Sequence, residues 1–180
     1  MATVREYDSY IQQQTLRAEL TAASVKNMKE NIFPQFYEMI GDEPINQLTK
    51  EFYSRVYDDQ KLASVFSSST RSEAQSNLFA FLTELLGGPR RYTELRGKYH
   101  RLVGRHIAYN IDESAARRWL ANMDEALHAV PAFAANSYLL ELLLDYFSYT
   151  AYWIVFGKRT AYMKPGQPSG GNTVDTGRIW

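Results

Sequence analysis

The chain has 180 residues, 20 Lys and Arg against 20 Asp and Glu, and no cysteine. That length predicts one domain with some terminal overhang, and the even charge balance exerts no general pull toward nucleic acid or an anionic membrane. The missing thiols exclude disulfides, thiolate metal sites, iron–sulfur clusters, thiol nucleophiles and covalent CxxCH haem attachment.

The first residues, MATVREYDSY, carry charge early and lack an apolar core, so no secretory leader is visible and the cytoplasm is the expected compartment. Residues 1–32 are polar and predict a loose helix or an arm. Asp42-Glu43-Pro44 is a helix start, with Asp42 as cap and proline in the first turn. Ile45, Leu48, Phe52 and Val56 then fall on one stripe. Ser72 is the expected cap of a second helix, whose apolar positions Ala74, Leu78, Phe81, Leu82 and Leu85 keep three-four spacing. Gly87-Gly88-Pro89 stops it.

Asp112 opens a third helix with Ala116, Trp119, Leu120, Met123, Ala126 and Leu127 on its face, stopped near Pro131. The most apolar stretch runs from Tyr138 to Phe156. Glu141 and Asp145 lie within it one turn apart, a costly pair inside a bilayer, so a buried or half-buried helix ending at Gly157 is expected. The last residues concentrate Gly and Pro and read as a flexible tail. No alternating strand pattern competes, and the fold class is all-α.

Only three histidines are present, His100, His106 and His128, against 9 Phe, 13 Tyr and 3 Trp. His128 falls at the negative end of its helix and is expected to be solvated. His100 and His106 belong to a short basic segment, Tyr92 to Tyr109, punctuated by Gly97 and Gly104. Basic residues beside an imidazole suit a macrocycle with two carboxylate arms, and imidazole is a common axial ligand of haem iron. Spacing alone does not decide this, because a single histidine in a helical chain is more often a surface or satisfied core residue.

Five segments in register carry more weight: Phe52-Tyr53 to Asp58-Asp59, Phe66, Leu86-Gly87-Gly88-Pro89 to Tyr92, Gly104-Arg105-His106, and Arg118-Trp119-Leu120 to Met123. Together they resemble group II truncated haemoglobins, particularly the plant and algal kind. The resemblance covers roughly residues 33–157, leaving 1–32 as an N-terminal extension and 158–180 as the tail. It implies a two-over-two helical sandwich around non-covalent haem b. It also implies His106 as proximal iron ligand, Tyr53 as distal tyrosine and Trp119 as distal-side tryptophan. Phe66 would stack on the haem face, Ala74 would sit at the distal gate and Leu78 one turn on, where an apolar residue makes a third distal donor unexpected. Phe81, Leu78, Leu102 and Met123 would be apolar haem contacts, with Arg105 beside a propionate.

The chain departs from the family at Lys98-Tyr99-His100, where many relatives read Gly-His-Pro. His100 is therefore either a propionate contact or a surface residue. Gly41-Asp42 likewise stands where paired glycines are usual. The implied role is reversible binding and transport of O2, with CO and NO as further ligands and slow O2 release through a Tyr53–Trp119 donor pair. Two other roles stay open: NO dioxygenase or peroxidase activity, which would require a separate reductase, and haem-based redox or gas sensing through the N-terminal extension. A monomer or homodimer, with no nucleic-acid or membrane partner, is expected.

Overall fold

The computed structural model describes residues 2–66, 70–97, 104 and 106–162, and among them every regular element is helical. In chain order these are α1 (Val4–Thr15), α2 (Ala22–Asn27), α3 (Tyr37–Ile40), α4 (Asp42–Asp58), α5 (Gln60–Val65), α6 (Arg71–Leu85), α7 (Arg91–Arg96), α8 (Glu113–Ala129), α9 (Pro131–Ala134) and α10 (Ser137–Tyr162). A wide turn (Met28–Ile32) and a tight one (Phe33–Gln35) extend α2 toward α3. The helices α4 and α6 pack on each other, α8 and α10 form a second pair, and α4 crosses onto α8 to join the pairs. This is the two-over-two arrangement, with α1 laid along the outside of α10.

The stripe Ile45, Leu48, Phe52 and Val56 of α4 is fully buried between α6 and α8. Its start differs in detail from the sequence expectation. Asp42 is the first helical residue and caps nothing. Its carboxylate instead takes two 2.8 Å hydrogen bonds from the Arg91 guanidinium and one of 2.9 Å from the Tyr37 hydroxyl. Arg91 holds the Asp42 carboxyl below its usual range, and a paired charge outcompetes the helix terminus for it.

The cap of α6 is Thr70, two residues before Ser72. Thr70 and Glu73 exchange side-chain and main-chain hydrogen bonds, a full capping box. Asp112 caps α8 as expected, accepting the Ala115 N–H at 2.7 Å.

The Gly-Gly-Pro stop after α6 has a second use. Gly87 has φ +100°, and a Cβ there would lie 2.1 Å from the Pro34 carbonyl oxygen. A Cβ on Gly88 would lie 2.6 Å from the Tyr37 ring. The two glycines thus admit the segment leading into α3, whose Tyr37 N–H donates to the Leu86 carbonyl at 2.9 Å.

The polar N-terminal residues form an ordered, docked helix, closed at its start by a Thr3–Glu6 capping box. Tyr7 stacks on Trp153 at 3.9 Å and Tyr10 on Phe156 at 4.8 Å. The Asp8 carboxylate accepts the Tyr149 hydroxyl and the Ala22 N–H, both at 2.9 Å. Ile11 and Leu20 are fully buried. By length and apolarity α10 could cross a membrane; in this fold α1 and α8 cover it. It also runs past Gly157 to Tyr162. A mid-helix glycine costs about 1 kcal/mol, and the helix is carried past it by packing of Val155 in the core and a 2.8 Å pair between Arg159 and Glu113. Residues 163–180 of the expected tail lie outside the described residues.

The positive φ and the backbone contact at Gly87 give a direct test. Gly87→Ala is expected to cost about 2–4 kcal/mol, from backbone strain plus overpacking, read as a lowered urea midpoint. An unchanged midpoint would show that the close approach to Pro34 does not constrain the fold.

Candidate functional site

A cleft opens between α8, α10 and the end of α5. Its walls include Phe66 from the end of α5, Ala116 and Trp119 from α8, and Phe147, Thr150, Ala151 and Ile154 from α10, with His106 at one side. The cleft has a free volume of about 50 Å³ and almost wholly apolar walls, a thin slot rather than a chamber.

Local structure explains how each wall is held. Asp59 caps α5 by accepting the Lys61 and Leu62 N–H groups. Its other carboxylate oxygen pairs with Arg118 of α8 at 2.8 Å, and Lys61 pairs with Asp112 at 2.8 Å. These two contacts fasten α5, and with it Phe66, against the start of α8. On α8, Trp119 lies edge-on between Phe52 of α4 (4.9 Å between ring centroids) and Phe147 of α10 (5.3 Å). The α10 wall is a helical stripe, because residues 147, 150, 151 and 154 share one face.

His106 is 2% exposed and its Nε2 is buried. The turn that follows it folds back locally: Tyr109 N–H donates to the His106 carbonyl at 3.2 Å and Ile111 N–H to the Tyr109 carbonyl at 2.9 Å. Asp112 then starts α8, so His106 and Trp119 are joined by one short turn and two helical turns.

Tyr53 is fully buried on α4, edge-on to Phe52 at 5.0 Å and to Phe66 at 5.6 Å. It stands one ring behind the cleft wall. Its hydroxyl has no hydrogen-bond partner among the described residues, and burial pushes its pKa well above the usual phenol range. The hydroxyl therefore remains a neutral donor at any physiological pH. A buried donor without an acceptor costs about 1–3 kcal/mol, which marks this position as one that awaits an acceptor.

Of the residues singled out in the sequence, Phe66, His106 and Trp119 meet at the cleft. Ala74, Leu78, Phe81 and Met123 are buried in the core and form no part of these walls; Phe81 packs on Tyr92 and Tyr146. Leu102, Arg105 and His100 lie outside the described residues. His128 is exposed on α8, its Nδ1 at 2.9 Å from the Asp124 carbonyl oxygen. The α10 wall was missed in the sequence, although the spacing Phe147, Thr150, Ala151, Ile154 carries it.

Among the described residues no group of three or more histidines and carboxylates could hold a metal ion. A metal reached by His106 would therefore have to bring ligands of its own. The residues present fit a haem in kind: an imidazole with a buried nitrogen, flat apolar walls, and an orphaned hydroxyl one ring away.

The bacterial-like globin family matches residues 35–155. The chain is 34% identical to group 2 truncated hemoglobin 3-1 of Lotus japonicus, over 67% of this chain and 71% of that protein. It is 32% identical to two-on-two hemoglobin-3 of Arabidopsis thaliana, over 67% and 69%. Among solved structures it is similar to the truncated oxygen-avid haemoglobin of Bacillus subtilis, with 34% identity, 66% and 97% coverage and a TM-score of 0.60.

The orphaned hydroxyl can be tested without any ligand. In the chain without added haem, Tyr53→Phe is expected to raise unfolding stability by about 1–3 kcal/mol, because it removes a buried donor that lacks an acceptor. A destabilised variant would mean that the hydroxyl already has a partner in the folded chain.

Proposed function

The chain belongs to the bacterial-like globin family, as a group II truncated haemoglobin, and we propose that it takes up haem b through His106 and binds O2 reversibly with slow release, accepting CO and NO at the same place. Membership of the family implies a haem cofactor. His106 would hold it through its imidazole, with Phe66, Phe147 and Ile154 as apolar walls. When bound, the group supplies an iron with one coordination position open to a diatomic ligand.

The chain's own part is to hold that ligand by hydrogen bonds. The carrying observation is the Tyr53 hydroxyl, buried and without a described acceptor, one ring from the cleft that contains the buried Nε2 of His106. The Trp119 indole N–H is a second donor in the same apolar surroundings. Neither group can become an anion under physiological conditions, so both remain donors. In a poorly hydrated interior such donors meet little competition from water. Two bonds of ~1–1.5 kcal/mol each slow ligand escape roughly 30–150-fold. An acceptor supplied by the ligand would also relieve the cost of burying the tyrosine hydroxyl.

Two measurements test the reading. The purified protein, alone or after haemin addition, is expected to show a strong Soret band that is lost or grossly altered in His106→Ala. A folded, colourless protein that takes up no haemin would overturn it. In stopped-flow displacement of O2 by CO, Tyr53→Phe is expected to accelerate O2 dissociation by roughly 5–13-fold, the effect of one such hydrogen bond. An unchanged rate would remove Tyr53 from the donor pair.

A further inference from the structure

Among the buried polar side chains of the described residues, two can carry a positive charge: His106 and Lys158, 2% and 7% exposed. Lys158 has no evident reason to be buried. It lies on α10 one turn past Ile154, continuing the stripe 147, 151, 154 that walls the cleft. A methionine would fill the same space without taking an ammonium group out of water, which is costly unless the charge is compensated. The nearby carboxylates are occupied elsewhere. Asp112 pairs with Lys61 at 2.8 Å, and Glu113 takes Arg159 at 2.8 Å and the Tyr10 hydroxyl at 3.0 Å.

The ammonium donates instead to the main-chain carbonyl of Tyr109. That carbonyl also accepts the Ile111 N–H, and the Tyr109 N–H donates to the carbonyl of His106. Lys158 therefore ties the end of the α10 wall to Tyr109, whose own N–H closes the turn back on His106. A hydrogen bond from a charged donor is roughly twice as strong as a neutral one, and it is made here at the open end of the turn 106–111.

Building on the reading of His106 as an iron ligand, we propose that Lys158 is a positioning residue for the His106 imidazole. It clamps the turn that follows His106 to α10 and so sets the reach and angle at which the imidazole meets the metal. Ion pairs hold Phe66 against α8 on one side of the cleft, and the lysine holds His106 against α10 on the other.

The test uses full-length protein with Lys158→Met, which keeps the bulk without the donor, and Lys158→Arg, which keeps a cationic donor. The first readout is amide hydrogen exchange at Tyr109 and Ile111 in the chain as purified. Lys158→Met is expected to exchange roughly 13–150-fold faster, the loss of one charge-assisted hydrogen bond, and Lys158→Arg near the parental rate. The second is the iron–imidazole stretching band in resonance Raman spectra of the ferrous, ligand-free protein, expected to shift in Lys158→Met and to return toward the parent in Lys158→Arg. Should Lys158→Met fail to fold, Lys158→Gln replaces it, with the same direction expected.

Unchanged exchange overturns the clamp. Faster exchange with an unmoved band overturns the positioning of the imidazole. Equal shifts in the methionine and arginine variants assign the effect to side-chain shape and overturn the role of the charge. A parent protein that takes up no haemin ends the haem reading instead, and the exchange measurement still decides whether the clamp exists.

Discussion

The structure hangs on one chain of aromatic contacts across its centre. Phe52 of α4 meets Trp119 of α8 edge-on, and Trp119 meets Phe147 of α10 in the same way. Edge-to-face pairs of this kind add about 0.5–1.5 kcal/mol each beyond the area they bury, and they fix orientation as well as distance. Because Trp119 takes part in both, a single side chain sets α4, α8 and α10 relative to one another. The cleft is the space left on the side of that contact where α10 presents the small residues Thr150 and Ala151.

The interior of this fold is not arranged for stability alone. An apolar ring in place of Tyr53 would spare the chain a buried hydroxyl with no described acceptor, and an imidazole 2% exposed is an expensive neighbour for apolar walls. Violations of the apolar-core rule concentrate at functional sites, where a ligand completes what the chain leaves open. Tyr53, His106 and Trp119 gather at or beside one slot, while the Thr83 hydroxyl on α6, also buried without a partner among the described residues, lies away from it. The N-terminal helix serves the same arrangement from outside. It covers the back of α10 with Tyr7 and Tyr10, and the Tyr10 hydroxyl reaches Glu113, the first residue of the helix that carries Trp119. Burial, and after it that carboxylate, push the Tyr10 phenol up to about 12, so the contact persists as a neutral donor on an anionic acceptor across the physiological range.

Much of this was legible in the residues, and the exceptions share a cause. Asp112 as a cap, the α4 stripe and the Gly-Gly-Pro stop depend on neighbours within a turn or two in sequence, where local rules operate. Asp42 was misread as a cap because Arg91, 49 residues away, competes for its carboxylate. Ser72 yielded to Thr70, since the reciprocal bond with Glu73 requires a spacing of three residues. Gly157 looked like a helix end because the contacts that carry α10 beyond it, from Lys158 to Tyr109 and from Arg159 to Glu113, come from elsewhere in the chain. At the cleft, His106, Phe66 and Trp119 were found through their resemblance to a family. The α10 wall, whose members are ordinary core residues one at a time, was not.

The sequence by itself determined the helical class, the approximate helix boundaries and the lack of thiols, because these follow from composition, periodicity and single-residue chemistry, whereas His106 stood out only through the resemblance to a family. Only the tertiary structure decided which aromatic rings form a wall and which merely fill the core, that the polar N-terminal segment is a docked helix, that the Tyr53 hydroxyl has no acceptor among the described residues, and that a buried lysine holds the turn after His106. Those are properties of pairs of residues far apart in the chain. Burial and hydrogen-bond satisfaction exist only once the helices have packed.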